Sequence, residues 1–419
     1  MIPVLEASRS FAATRWMSRK GLSRRRFEAM QGRQLDRWLN QRVPRVAAYH
    51  GPARPLTALP VIDKSVLMAD FAAYNTHGVT AEQVREAMAR DLRIGALTVG
   101  ASTGTSGNRG LFVISEAERF RWLGNIVAKT LADILWQPQK IAILLPQATP
   151  LYESANRIRR FNLRFFDLHS DPDRWMRELN LFDPTVIVAP PRILRLLAEG
   201  SNSLAPRRVF SAAETLDPVD RPVIEARFGS PLGQIYMATE GLLGVTCEQG
   251  RLHLAEDAVY FEFEPFGDGL VSPLITTFRR DVQIMARYRM NDLLRISAQP
   301  CPCGSPLVAV DEVVGRMDDC FHLAGRGGEV FFTPDVLRNA VLDSDPSIQD
   351  FRLIQTRHDR VELILPNDLD ETVVSAAQAR LSNLFVQRGA TANLTARTGT
   401  LPVNMNRKLR RVERRVSAE

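Results

Sequence analysis

Cysteine is scarce in this chain: only Cys247, Cys301, Cys303 and Cys320 occur among 419 residues. So few thiols in so long a sequence exclude a disulfide-stapled scaffold. Aromatic residues are sparse too, at 7%. No aromatic-interleaved basic groove or known nucleic-acid-binding motif is present, which argues against a polynucleotide binder. No apolar run reaches the ~18 residues that a membrane span needs. The start, Met1-Ile2-Pro3-Val4, is followed by Glu6, Arg9 and Arg15, so no signal-peptide apolar region forms. A cytoplasmic location is the resulting expectation. Internal repeats and low-complexity segments are also lacking.

The composition that remains is that of an ordinary soluble globular protein, 45% apolar and 24% charged. The length suits a large domain and a smaller one rather than a single core. Fifty-four basic residues against 47 acidic ones leave a net charge of +7. Much of the excess lies between Arg15 and Arg45 and in the tail Arg407, Lys408, Arg410, Arg411, Arg414 and Arg415. Within the first run Leu22, Phe27, Leu35, Trp38 and Leu39 recur at helical spacing, so its charges read as solvated helix faces. A basic surface also suits an anionic partner such as a phosphopantetheine group or an acidic carrier protein.

Residues 1–60 read as a basic helical lead-in that Pro44, Pro52, Pro55 and Pro60 break into an extended segment. From about Ala96 to Glu264, apolar strand-like runs (Ile141 to Leu145, Thr185 to Ala189, Arg208 to Phe210) alternate with helix-like ones (Arg192 to Glu199, Asp217 to Phe228). That alternation predicts an α/β domain with a largely parallel sheet. Past Gly315 the pattern changes to a hairpin around His358-Asp359, an amphipathic helix over Asp370 to Arg388 and a strand over Thr391 to Thr398. The expected division is a large domain over 1–314 and a small α+β domain over 315–419.

Five short motifs follow one another in a chemically suggestive order. Ser102-Thr103-Gly104-Thr105-Ser106-Gly107 is rich in glycine and hydroxyls, and such a loop can fold backbone N–H groups around phosphate oxygens. It lacks the Gly-Lys-Ser/Thr of a P-loop, so a P-loop NTPase is disfavoured. Tyr236-Met237-Ala238-Thr239-Glu240 ends on a carboxylate. Arg287-Tyr288-Arg289-Met290-Asn291-Asp292 ends on another. Gly315-Arg316-Met317-Asp318-Asp319 comes next, and Lys408 stands in the basic tail.

The ordered set, with Leu59-Pro60-Val61-Ile62-Asp63-Lys64 ahead of it, resembles the adenylate-forming superfamily of acyl- and aryl-CoA ligases. Within it the phenylacetate–CoA ligase and coenzyme F390 synthetase branch is the most similar. Four departures from the usual motifs occur: Asn108-Arg109, Met237, Met290-Asn291 and Arg407. The resemblance implies a large adenylation domain of mixed sheets and helices, and a small C-terminal lid that rotates about Asp318. It implies that Ser102 to Gly107 hold phosphate, with Glu214 and Arg316 near the nucleotide and Tyr236 against adenine. Thr239 would meet the α-phosphate, Glu240 would hold Mg²⁺ and Asp292 the ribose hydroxyls. Lys408 would bridge carboxylate and α-phosphate. The implied activity converts a carboxylic acid, aryl or small and apolar, to an acyl-adenylate with ATP and Mg²⁺. The acyl group then passes to CoA or a carrier-protein phosphopantetheine. Leu144 to Tyr152, Phe165 to His169 and Ala189 to Pro191 are the expected walls of the acid pocket. Two alternatives stay open: adenylyl transfer to a hydroxyl, as in F390 synthetase, and a non-catalytic basic zinc-containing nucleic-acid binder.

Cys247 and His253, spaced Cys-x5-His, and Cys301-Pro302-Cys303 together offer a Cys₃His set for a structural zinc. Some phenylacetate–CoA ligase relatives carry a similar arrangement.

Overall fold

The computed structural model describes residues 2–102, 110–145, 161–401 and 408–416. The chain forms two compact units. The first comprises Met1–Leu216, Arg221–Met290 and Leu294–Glu312; the second comprises Asp217–Asp220, Asn291–Leu293 and Val313–Glu419.

A mixed sheet carries the first unit. Its parallel half has the order Phe161–Asp167, Gln139–Leu145, Val186–Ala189, Arg208–Ala212, Leu232–Ala238. Ile141 to Leu144 are buried without interruption, as befits a strand covered on both faces. Helices Pro172–Phe182, Pro191–Glu199 and Asp220–Phe228 link successive strands. Beyond Ala238 the sheet turns antiparallel through Gly241–Thr246 and Leu252–Leu254. The largely parallel expectation therefore holds only for five strands. Two residues separate Ala238 from Gly241, and a parallel return needs a crossover of about a dozen. A separate antiparallel sheet joins Arg93–Ile94, Leu97–Ala101 and Leu111–Ser115.

The basic lead-in forms two helices, Ile2–Met17 and Arg24–Gln41. Leu22, Phe27, Leu35, Trp38 and Leu39 are all buried, as their spacing predicts. The proline segment is not simply extended: 3₁₀ turns form at Val43–Arg45, Ala47–Tyr49 and Leu56–Ala58. Proline's fixed φ suits the first turn of a helix.

Two adjacent carboxylates bind this lead-in to the sheet. Asp257, completely buried, accepts hydrogen bonds from Thr14 Oγ1 at 2.9 Å and Asn125 Nδ2 at 2.6 Å. Lys129 Nζ stands 2.6 Å from its other oxygen. Burial alone would raise the pKa of Asp257, but Lys129 and then Arg279 hold it below the usual carboxylate range. Glu256 receives Arg24 at 2.7 and 2.8 Å and the backbone N–H of Val308 at 2.6 Å. Its carbonyl accepts from Gln31 Nε2 at 2.7 Å. Gly124, on helix Glu116–Thr130, brings that helix against the first: a Cβ there would lie 2.1 Å from the carbonyl oxygen of Ala7.

In the second unit a four-stranded sheet runs Asn393–Thr398, Arg360–Leu365, Arg352–Arg357, Val412–Arg414. Helices Pro334–Leu342 and Glu371–Gln387 accompany it, with a hairpin of Phe321–Gly325 and Gly328–Phe332. Phe321, Phe332, Phe351, Leu363, Leu381 and Phe385 form its core. Among the described residues no helix is long and apolar enough to cross a membrane.

Lys129→Met leaves the Asp257 charge buried without the cation paired to it and should cost about 3–5 kcal/mol. Urea unfolding of the variant checks this. Because the Asp257 pKa is depressed, its stabilisation is present above the ordinary Asp pKa and is lost as pH falls through the folded value.

Candidate active site and metal centre

Ser102 and Gly110 close the hairpin whose strands are Leu97–Ala101 and Leu111–Ser115. Ser102 N–H donates to Gly110 O at 2.7 Å, and Gly110 N–H to Ser102 Oγ at 3.0 Å. Ser102 and Gly110 are thus pinned to each other at the end of the two strands. Thr103, Gly104, Thr105, Ser106 and Gly107 lie outside the described residues, as does Asn108-Arg109.

Thr239 and Glu240 form the tight turn between strands Leu232–Ala238 and Gly241–Thr246. Gly241 takes φ +143°, a conformation that favours glycine. Tyr236 lies on the incoming strand, and the ladder slips by one residue between Tyr236 and Met237. The turn is held from behind: Arg280 Nη2 donates to the carbonyls of Thr239 at 3.2 Å and Glu240 at 2.8 Å. Burial pulls the Arg280 pKa down, against the attraction of Glu118 and Glu240.

One segment supports both the turn and the hairpin. Ser115 and Glu118 form a capping box at the start of helix Glu116–Thr130. The second oxygen of Glu118 accepts the N–H groups of Asp281 at 2.7 Å and Val282 at 3.1 Å. Next to them, the Gln283 side chain accepts from Val113 N–H at 3.2 Å. Residues 280–283 are therefore fastened to the glycine hairpin on one side and to the Thr-Glu turn on the other. Gly110, Thr239, Glu240, Leu67 and Tyr288 line one small cleft. Tyr288 reaches it because Ile62 and Tyr288 are bridged, with Ile62 N–H donating to Arg287 O and Arg289 N–H to Ile62 O. Arg287 and Arg289 pair with Glu262 and Glu264 on strand Tyr260–Gly267. Motifs separated by well over a hundred residues in sequence thus meet at one place.

Three groups here were not singled out from sequence. Arg280 and Glu118 belong to no motif. Lys64 closes the quoted Leu59–Lys64 stretch, and its Cε lies 3.7 Å from the position a Cβ on Gly110 would take. Glu214 follows strand Arg208–Ala212 and faces inward, with Arg192 Nε at 3.1 Å and both side chains under 5% exposed. Of the expected acid-pocket walls, Leu144, Phe166 and Ala189 are buried in the sheet, and residues 146–160 lie outside the described set.

The remaining expected residues sit in the second unit. Asp292 begins strand Asp292–Ile296. Arg316 ends strand Ala309–Arg316 and is exposed; Asp318 lies in the 3₁₀ turn Met317–Asp319. Asn291 ties the two motifs: its side-chain N–H donates to Asp318, and its carbonyl accepts Met317 N–H at 2.8 Å. Lys408 is exposed, shortly ahead of strand Val412–Arg414, which pairs in parallel with Arg352–Arg357. Arg411 fixes this tail against Asp220 at 2.8 and 2.9 Å, Asp350 at 2.9 Å, and Asp217. Burial works against the Arg411 charge, yet the three carboxylates raise its pKa.

Cys247, His253, Cys301 and Cys303 do come together, with their ligand atoms all within 4.8 Å of one another. Cys247 Sγ and Cys301 Sγ are 3.7 Å apart, near the ~3.8 Å separation of two thiolates on a tetrahedral zinc with ~2.3 Å bonds. His253 Nδ1 lies 2.9 Å from Leu307 O. That carbonyl can only accept, so Nε2 carries the free lone pair, 3.4 Å from Cys303 Sγ. Burial pulls the His253 pKa down and pushes the Cys303 thiol up to about 12. A divalent cation reverses that cost by making the thiolates favourable. Cys320 lies apart in the second unit, buried against Arg316 O.

No protein-family model matches the sequence, and neither does any curated protein. Solved structures do match. One is 2-hydroxyisobutyryl-CoA ligase in the postadenylation state with 2-HIB-AMP: 19% identity, 96% of this chain and 91% of that one covered, TM-score 0.67. An open conformation of that ligase, with 2-HIB-AMP and CoA, gives 18% identity, coverage of 96% and 93%, and TM-score 0.58. An ATP-bound RpMatB–BxBclM chimera gives 16%, 74% and 66%, and 0.55. At these identities the likeness is one of fold. The chain has the adenylate-forming ligase fold, a large α/β part with a smaller C-terminal one.

Asp319, beside Asp318, meets Arg410 at 3.0 Å, yet burial pushes its pKa up to about 6. Between its ordinary pKa and about 6 the folded state holds a proton that the unfolded chain has lost, so stability falls as pH rises through that window. Asp319→Asn escapes this loss. It should gain roughly 3 kcal/mol on the parent protein between about pH 4 and pH 6, and nothing further above. Parallel thermal denaturation of the two proteins across that range is the check.

Proposed function

We propose that this chain is an ATP- and Mg²⁺-dependent ligase of the phenylacetate–CoA ligase type. It activates a carboxylic acid, aryl or small and apolar, and passes the acyl group to the thiol of CoA or of a carrier-protein phosphopantetheine. One observation carries the reading: Gly110 of the glycine hairpin and the Thr239-Glu240 turn line a single cleft on a common support. The fold it shares with a ligase solved with 2-HIB-AMP and CoA, and with an ATP-bound chimera, supports the same reading.

In this reading the substrate carboxylate oxygen attacks the α-phosphorus of ATP. A phosphorus–oxygen bond forms to the acid while the bond to pyrophosphate breaks. The hairpin loop holds phosphate oxygens, Thr239 donates to the α-phosphate and Asp292 accepts the ribose hydroxyls. Tyr236 packs on adenine, with Glu214 and Arg316 nearby. Glu240 is the carboxylate that would hold Mg²⁺, which offsets the charge gathering on pyrophosphate. Arg280 keeps that carboxylate aimed by fixing the turn's carbonyls. Lys408 supplies a cation between carboxylate and α-phosphate, stabilising charge where it develops. A thiolate then attacks the acyl carbon and AMP leaves. Asp318 is the hinge for the small domain between the two half-reactions.

The Cys247, His253, Cys301, Cys303 cluster is assigned to a structural zinc. Its four protein ligands leave no coordination position for chemistry. Purified protein should carry about one zinc per chain. The Cys301→Ser/Cys303→Ser variant should lose the metal and melt at lower temperature. Zinc-free protein whose melting ignores chelators would defeat the assignment.

The activity is tested by carboxylate-dependent ATP–pyrophosphate exchange over a panel of aryl and aliphatic acids. Lys408→Ala and Glu240→Ala should each lower exchange by about 10²-fold or more. Exchange that persists in both variants, or fails with every acid, would sink the proposal.

A further inference from the structure

A cleft of about 320 Å³ lies in the first unit, lined by none of the residues assigned to nucleotide, metal or acid, between the two lead-in helices, helix Glu116–Thr130 and residues 278–281. Arg9, Arg37, Arg42, Arg121 and Arg279 line it, against only two carboxylates, Glu6 and Asp281. Those carboxylates are already engaged. Asp281 takes Arg42 at 2.8 Å and Arg121 at 3.0 Å, and Glu6 takes Arg121 at 3.4 Å.

Three guanidinium groups are left over. Among the described residues no carboxylate lies within 4 Å of Arg9, Arg37 or Arg279. Arg279 is the deepest. Its closest polar contacts are long: Ser10 Oγ at 3.5 Å and Met17 Sδ at 3.9 Å. Burial pulls its pKa below the guanidinium range, and the attraction of Asp257 does not make up the difference. A cation held in low dielectric with poor hydrogen bonds is costly, and a doubly charged oxyanion with several acceptor oxygens is the ligand that relieves it. Arginine forks suit phosphoryl oxygens better than carboxylate-poor surroundings suit arginine.

We propose that this cleft binds a phosphoryl group, held by Arg279 at its base and by Arg9 and Arg37 at its rim. The volume exceeds that of one phosphate ion, so a phosphate ester of a small molecule fits as well as the free ion. Trp38, in the same wall, donates its indole N–H to Arg280 O at 2.6 Å. Arg280 also holds the Thr239-Glu240 turn, so this one residue joins the cleft wall to that turn.

Isothermal titration of the full chain with inorganic phosphate, and separately with glycerol 3-phosphate, tests this at ionic strength matched with chloride. Arg9→Gln/Arg37→Gln is the diagnostic variant, because both side chains are exposed on helices and the fold should survive; its unliganded melting temperature verifies that. Saturable binding at one site, weakened at least about tenfold in the variant, is the expected result. Tighter binding of glycerol 3-phosphate would mark an ester as the ligand, and equal binding the free ion. No saturable binding of either probe, or binding unchanged in the folded variant, would overturn the proposal.

Discussion

The pair Glu256-Asp257 is the constraint on which the first unit depends. Two carboxylates in one short loop gather the first two helices through Thr14, Arg24 and Gln31, helix Glu116–Thr130 through Asn125 and Lys129, and the backbone of Val308. A buried charge left without its partners is strongly destabilising. The geometry of the surrounding elements is therefore set by the need to reach these two side chains. The basic character of the lead-in follows in part: Arg24 is there to meet Glu256, and other arginines of the run face the solvent or the cleft.

A second network passes from that scaffold to the site. The Ser115-Glu118 capping box does what such boxes do at a helix start, but Glu118 spends its other oxygen on the backbone of Asp281 and Val282. The glycine hairpin and the acidic turn are consequently registered against the same few residues. In the proposed reaction, a loop that would hold a polyphosphate and a carboxylate that would hold a cation gain little from mobility relative to each other. Preorganised supports of this kind are where electrostatic stabilisation comes from.

How much of this could be read from the chain depends on the range of each interaction. Parallel strands such as Gln139–Leu145 and Val186–Ala189 announce themselves as short apolar runs. The lead-in helices do so by their period, and the α+β character past Gly315 by its hairpin and amphipathic helix. The Cys/His cluster was legible because thiols are so few that three of four had to be considered together, and the structure does bring them together. The antiparallel half of the large sheet was not, since only the brevity of the Thr239-Glu240 turn dictates it. Nor were Arg280, Glu118 or Asp257. Their importance rests on partners 40 to 243 residues away, and an isolated charged residue carries no periodic signal. The aspartates of the second unit that neutralise Arg411 were equally silent for that reason.

That last cluster has a bearing on how the molecule is made. Strand Val412–Arg414 adds in parallel beside Arg352–Arg357, and Arg411 is the common cation of Asp217, Asp220 and Asp350. During synthesis all three acids emerge long before the arginine that reconciles them. Until then an edge of the second sheet stays open and its carboxylates remain without this counter-charge. Closure of that unit thereby waits for residues 411–414, and a chain interrupted before residue 411 keeps an open sheet edge and three carboxylates without their shared cation.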